Sequence, residues 1–181
     1  MLRYNRAQLS RFAKHVPMPN SSQGVLAALL DSWDRNNTIL INLLRALPED
    51  ALKLRPMEGS PSIGELFSHI HYVRLVFVFE DAFEFAQPLP EEWIEVPDRE
   101  RMAAMLNQSA KVVREAVQGR LEAGREMDVH YDHPILLFQH MIWHEGYHHG
   151  QIKLTLKLAG RPLPNQEIGP VTWRVWMNKK K

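Results

Sequence analysis

The chain has 181 residues, a formal net charge of +1, 45% hydrophobic and 24% charged residues, and no cysteine. This is the size and composition of one soluble globular domain, residues 1–181, able to bury a full hydrophobic core. The missing cysteine excludes disulfides, thiolate metal sites and a cysteine nucleophile. Any metal must therefore be held by His, Asp or Glu, and any reacting thiol must arrive on a small molecule. No apolar run approaches the ~18 residues of a membrane-spanning helix, and no signal region follows Met1, so the expected location is cytoplasmic with no membrane partner.

The charge is uneven. Residues 1–20 carry Arg3, Arg6, Arg11 and Lys14 without an acid, and residues 161–181 carry five basic residues against Glu167. With no aromatic-interleaved basic groove and no nucleic-acid motif, these ends read as solvated tails or as segments packed on the acidic body. Nucleic acid is not an expected partner.

Residues 1–20 form a basic, amphipathic arm stopped by Pro17 and Pro19. A first helix is predicted from Ser21 or Ser22 to Pro48, with a broad apolar stripe through Leu26, Leu30, Trp33, Leu40, Leu44 and Leu47. Ser60-Pro61 offers one start for a second helix, and Ser62 with Glu65 offers a capping box as the alternative. This helix is expected to reach Ala86, because Pro88 and Pro90 forbid more. The Glu91-Glu92 pair reads as exposed loop. Asp98 is the expected N-cap of a third helix ending at Gly119 or Gly124. A fourth starts at Asp132 or His133 and ends at Gly160. The tail, 161–181, fits an extended piece or a short helix equally well. Four long helices without a convincing strand make an all-α four-helix bundle over residues 21–160.

The fourth helix carries His144-Glu145-Gly146-Tyr147-His148. Histidines at i and i+4 lie one above the other on a single face, where both rings can reach one divalent cation. His140, Gln151 and Thr155 share that stripe, flanked by the core-type residues Leu137 and Met141. Buried polar groups cost on the order of 1–3 kcal/mol each when unpaired, so such a stripe needs a partner; a metal supplies one, and mutually bonded core histidines are the alternative. The second helix offers a third ligand. His69 lies at the edge of the apolar face defined by Leu66, Ile70, Val73 and Phe77, whereas His71 points away beside Arg74 and reads as solvent-facing. His15, His130, His133 and His149 have no partner spacing and read as surface or loop residues. Three imidazoles without a thiolate describe an open, catalytic type of site that Zn, Ni, Fe(II) or Cu(II) would accept. Glu145 could orient or deprotonate a metal-bound nucleophile, or lie on the helix surface. Gln151 could hydrogen-bond a ligand histidine.

Three stretches carry a family resemblance: Ser62-Ile63-Gly64-Glu65-Leu66-Phe67-Ser68-His69-Ile70, then His144 to Ile152, then Leu158-Ala159-Gly160-Arg161-Pro162. Together they resemble the DinB-like family over most of residues 21–165. The resemblance implies a four-helix bundle with one long crossover, often a homodimer, binding a divalent metal through His69, His144 and His148. It also implies thiol-dependent group transfer with a low-molecular-weight thiol, or hydrolysis of a small substrate.

The same residues admit rivals. His144 to His148 is literally HExxH, the zinc-peptidase pattern, with Glu167 as a third ligand to be considered. A di-iron bundle needs a second ExxH, which the chain lacks. A metal-binding or stress-associated protein that catalyses nothing differs only in lacking a substrate cleft. Gly146 and Gly150 each cost about 1 kcal/mol inside a helix. They lie away from the histidines, so close approach by the C-terminal tail or by a partner subunit in a homodimer is expected.

Overall fold

The computed structural model describes residues 22–179, so the basic arm read over 1–20 lies outside the described residues. Five α-helices occur among them: α1 (Ser22–Ala46), α2 (Ile63–Asp81), α3 (Arg99–Glu122), α4 (Ile135–Leu158) and α5 (Asn165–Val171). Short 3-10 turns occupy Ala51–Lys53, Phe83–Phe85 and Trp173–Met177, and no strand is present among the described residues.

Local chemistry sets the helix ends. α2 starts at the Ser62–Glu65 capping box, in which the Glu65 N–H donates to Ser62 Oγ at 3.1 Å and the Ser62 N–H donates to Glu65 Oε2 at 2.6 Å. Asp98 caps α3 by accepting from the Glu100 and Arg101 N–H groups. α2 ends at Asp81, five residues earlier than the prolines require. The fully buried Asp81 carboxylate turns inward and accepts the N–H groups of Val129 and His130 and ring Nδ1–H of His130, at 2.7–3.1 Å. α3 runs through Gly119, where a Cβ would collide with the Phe85 ring, and stops before Gly124, whose φ of +62° suits glycine.

α1 and α3 run antiparallel, as the pairs Trp33–Ala110, Asn37–Asn107 and Arg45–Glu100 show. α2 and α3 run parallel, since Arg74 meets Leu106 while Arg120 meets Glu84 just past α2. Parallel neighbours need a long return, and residues 82–98 supply it. This crossover travels back along α2 and is fastened at Ser68, whose Oγ accepts the Ile94 N–H at 3.2 Å and donates to the Glu92 carbonyl at 3.0 Å. α4 runs antiparallel to α2, setting His140 beside Phe77 and His148 beside His69. The architecture is an all-α bundle of four long helices with one long crossover.

The core has two apolar clusters. One gathers Leu40, Leu44, Phe67, Ile70, Leu106 and Ile152; the other gathers Trp33, Val78, Val113, Ala116, Phe138 and Met141. A polar layer is shared by the four long helices. Arg74 of α2 donates from Nε to Glu145 Oε1 at 2.6 Å and from Nη2 to Oε2 at 2.9 Å, and Glu145 of α4 also accepts from Asn36 of α1. Arg74 Nη1 reaches Asn37 of α1 and the Leu106 carbonyl of α3, and the guanidinium lies 4.9 Å from the Trp33 ring centroid.

The tail resolves as α5 and a 3-10 turn lying antiparallel along α1. Asn42 donates to the Val171 carbonyl, and Arg35 donates to those of Val175 and Asn178. The tail therefore does not cover Gly146 and Gly150, and a Cβ at either glycine would meet nothing within 4 Å. Packing of the tail is thus not the reason for these glycines.

Removing one member of a buried ion pair strands the other charge, at a cost of about 3–5 kcal/mol. Arg74→Met is expected to lower unfolding free energy by that amount in urea denaturation, and a second change, Glu145→Leu, is expected to restore most of it.

Candidate metal centre

The antiparallel pairing of α2 and α4 sets His69 opposite the turn between His144 and His148. Ligand-capable nitrogens of the three rings all lie within 4.8 Å of one another. The Nε2 atom of His144 is 3.2 Å from that of His69 and 3.0 Å from that of His148. His148 is buried and the other two rings are half-buried.

Tautomers follow from the outer partners. Nδ1 of His69 lies 2.7 Å from Glu92 Oε1, and Nδ1 of His148 lies 2.7 Å from Gln151 Oε1. Both oxygens accept, so both imidazoles carry their proton on Nδ1 and turn an Nε2 lone pair toward His144. His144 cannot satisfy this arrangement alone. Protonated at Nε2, it leaves its Nδ1 buried without a partner; protonated at Nδ1, it brings a third lone pair against two others. A divalent cation would resolve the conflict, and the cluster has the donor set and the outer hydrogen bonds such a cation needs. Burial lowers the pKa of all three rings, down to about 3 for His144, where the neighbouring His148, His69 and His140 rings and Arg74 add to the effect. The rings are thus neutral at physiological pH, as metal ligands must be.

Glu92 comes from the crossover, not from a bundle helix, and it is half-buried against His69 rather than part of an exposed pair. Its neighbour Trp93 stacks on the His69 ring, with centroids 4.3 Å apart and planes 3° from parallel. No spacing rule connects position 92 with position 69; only the return path of the crossover does. Gln151 makes the hydrogen bond to a candidate ligand histidine that its place on the stripe suggests.

Several expectations are corrected. His71 is buried, not solvent-facing, and hydrogen-bonds the backbone of Met105. Arg74 beside it is fully buried. α2 has no free face, because α3 and α4 flank it and the crossover covers it. Arg74 was signalled only as the one cation within the otherwise apolar run Val73 to Phe79. Glu145 is neither a surface carboxylate nor an available base: it is 1% exposed, and its oxygens are taken by Arg74 and Asn36. The peptidase reading needs that carboxylate free and so loses its general base. Glu167, its suggested third ligand, is exposed on α5 and is not part of the cluster. His130 binds the buried Asp81, and His149 is half-buried with Nε2 unpartnered.

Residues 18–173 match the DinB family. The chain belongs to the DinB family. Among solved structures, a DinB-like protein from Bacillus cereus ATCC 10987 is similar to this chain with a TM-score of 0.63 and 18% identity, over 79% of this chain and 95% of that one. A structure assigned to the DinB family from Exiguobacterium sibiricum 255-15 matches with a TM-score of 0.50 and 18% identity, over 77% of this chain and 95% of that one. At such identity these structures establish the DinB-like fold alone. No protein of curated function matches the sequence.

The lowered histidine pKa values set a sign for stability against pH. The unfolded chain takes up protons near the ordinary value of 6.5, whereas folded His144 resists protonation down to about 3. In EDTA, stability is expected to be greatest above about pH 6.5 and to fall as pH drops from there toward 3, because the unfolded state then binds more protons. Chemical denaturation between pH 7 and 4.5 checks this, and His144→Ala is expected to flatten the dependence.

Proposed function

We propose that this DinB-family chain is a divalent-metal-dependent enzyme whose centre is formed by His69, His144 and His148. In this reading it transfers a group to or from a low-molecular-weight thiol, or hydrolyses a small substrate. The observation that carries the reading is the pair of Nε2 lone pairs, fixed by Glu92 and Gln151, that face the third imidazole at 3.0–3.2 Å. Three neutral nitrogen ligands leave open positions on Zn, Ni or Fe(II). A metal in such a site lowers the pKa of a bound water or thiol and polarises an acyl oxygen.

The chain's own residues have distinct tasks. Glu92 and Gln151 hold two ligands in one tautomer and ring orientation. Glu145, engaged by Arg74 and Asn36, anchors α4 so that His144 and His148 face α2. Trp93 shields one face of His69 from water. Because the chain has no cysteine, the reacting sulfur belongs to the small molecule. A cytoplasmic setting suits this chemistry, since low-molecular-weight thiols are kept reduced there, and no described helix is long and apolar enough to cross a membrane.

The reading includes a homodimer. α4 exposes Leu136, Trp143, Tyr147, Leu154 and Leu158 along one side, with Gly150 among them and Gly146 at the edge. Two side-chain-free positions one turn apart let another helix approach closely, and a second copy offers a matching surface.

Elemental analysis of purified protein beside His144→Ala tests the centre: about one divalent ion per chain is expected in the first and little in the second, and equal contents overturn the ligand assignment. Titrating 2-mercaptoethanol or glutathione into Co(II)-substituted protein separates thiol chemistry from passive metal binding. A new sulfur-to-cobalt absorption band is expected, and an unchanged spectrum rejects the thiol. In sedimentation velocity the wild type is expected as a dimer and Leu154→Glu as a monomer; a monomeric wild type rejects the dimer.

A further inference from the structure

The α4 stripe carries a fourth imidazole for which the proposed chemistry has no use. His140 lies one turn before His144, with ring centroids 6.4 Å apart and planes at 74°. Its Nδ1 is 2.6 Å from the Tyr131 hydroxyl. A phenol O–H is the stronger donor and an imidazole lone pair the stronger acceptor, so at this short distance Tyr131 donates the bond and Nδ1 accepts it. A neutral imidazole that accepts at Nδ1 carries its proton on Nε2. That Nε2 has no hydrogen-bond partner among the described residues and is not enclosed.

The ring is also held mechanically. Phe77 of α2 packs edge-on against His140 at 5.1 Å, and the same phenyl ring touches His130 and Tyr131. The segment bearing Tyr131 is fastened by the buried Asp81 carboxylate through Val129 and His130. An N–H donor with one tautomer and one orientation thus stands a turn away from the three converging nitrogens. An N–H donor fixed in a half-buried aromatic wall and left open on its outer side suits an oxygen acceptor on a ligand.

We propose that His140, oriented by Tyr131, hydrogen-bonds through Nε2–H to an oxygen of a carbonyl- or carboxylate-type ligand held at the three-histidine centre. This rests on the metal reading above. His140 contacts the ligand, and Tyr131 is a positioning residue that acts through it. No proton is transferred in this role.

The test uses Co(II)-loaded full-length protein, with acetohydroxamate as the probe and the visible spectrum as the readout. Wild type is expected to bind the probe, and His140→Ala to weaken binding about tenfold, the worth of one hydrogen bond in such a site. His140→Gln, which keeps an N–H donor, is expected to recover part of the loss. Tyr131→Phe, which frees the tautomer, is expected to weaken binding a few-fold. Cobalt content and thermal midpoint, measured for each, separate loss of a contact from loss of the fold. Unchanged probe affinity in both His140→Ala and Tyr131→Phe overturns the proposal and leaves the metal reading intact, as does wild-type cobalt protein that ignores the probe. Failure of the wild type to take up Co(II), or equal uptake by His144→Ala, overturns the metal reading, and the proposal falls with it.

Discussion

Arg74 and Glu145 have been taken out of water together, and the bundle is arranged to make that tolerable. Desolvation costs several kcal/mol per ion, which Coulombic attraction offsets only when geometry and further hydrogen bonds are good. Here two guanidinium nitrogens meet two carboxylate oxygens, while Asn36, Asn37 and the Leu106 carbonyl absorb remaining capacity. The pair also fixes rotation. Arg74 follows His69 by five residues on α2, and Glu145 stands between His144 and His148 on α4. Slipping either helix by one residue turns its side chains through about 100°, parting the ion pair and the imidazoles in one movement. The contact that specifies the core therefore also specifies the candidate metal centre.

A second constraint comes from the order of the helices. Because α2 and α3 are parallel neighbours, the chain must return the length of the bundle between them. That return passes His69 and leaves Glu92 and Trp93 against it. The centre is thus assembled from two helices and a connection, and the connection supplies the acceptor that decides where the His69 proton sits. A shorter, antiparallel join would leave that ring without orientation.

Much of this was legible in the residues. The four long helices, the Asp98 cap, the break at Gly160 and the inward stripe of His144 and His148 follow from periodicity and capping chemistry, and the edge position of His69 on α2 follows from the same wheel. What could not be read depends on partners distant in sequence. His71 reads as exposed because an amphipathic wheel assumes one solvent face, and α2 has none. Asp81 ended its helix early for the sake of a loop about fifty residues away. Glu145 looked like a base because the motif around it matches one; only the position of Arg74 shows that its charge is already spoken for. The glycines of α4 suggest close approach by the tail or by a partner subunit, and the tail lies along α1 instead.

The pairing of Glu145 with Arg74 also governs the field at the three imidazoles. The rings are neutral, the nearest buried carboxylate is cancelled by its guanidinium, and Glu92 stands on the outer side of His69. A divalent cation in such surroundings would keep most of its formal charge, unlike one held by thiolates or carboxylates. Selection among groups reaching such a cation would then fall to sign before shape, with anionic groups drawn in ahead of neutral competitors.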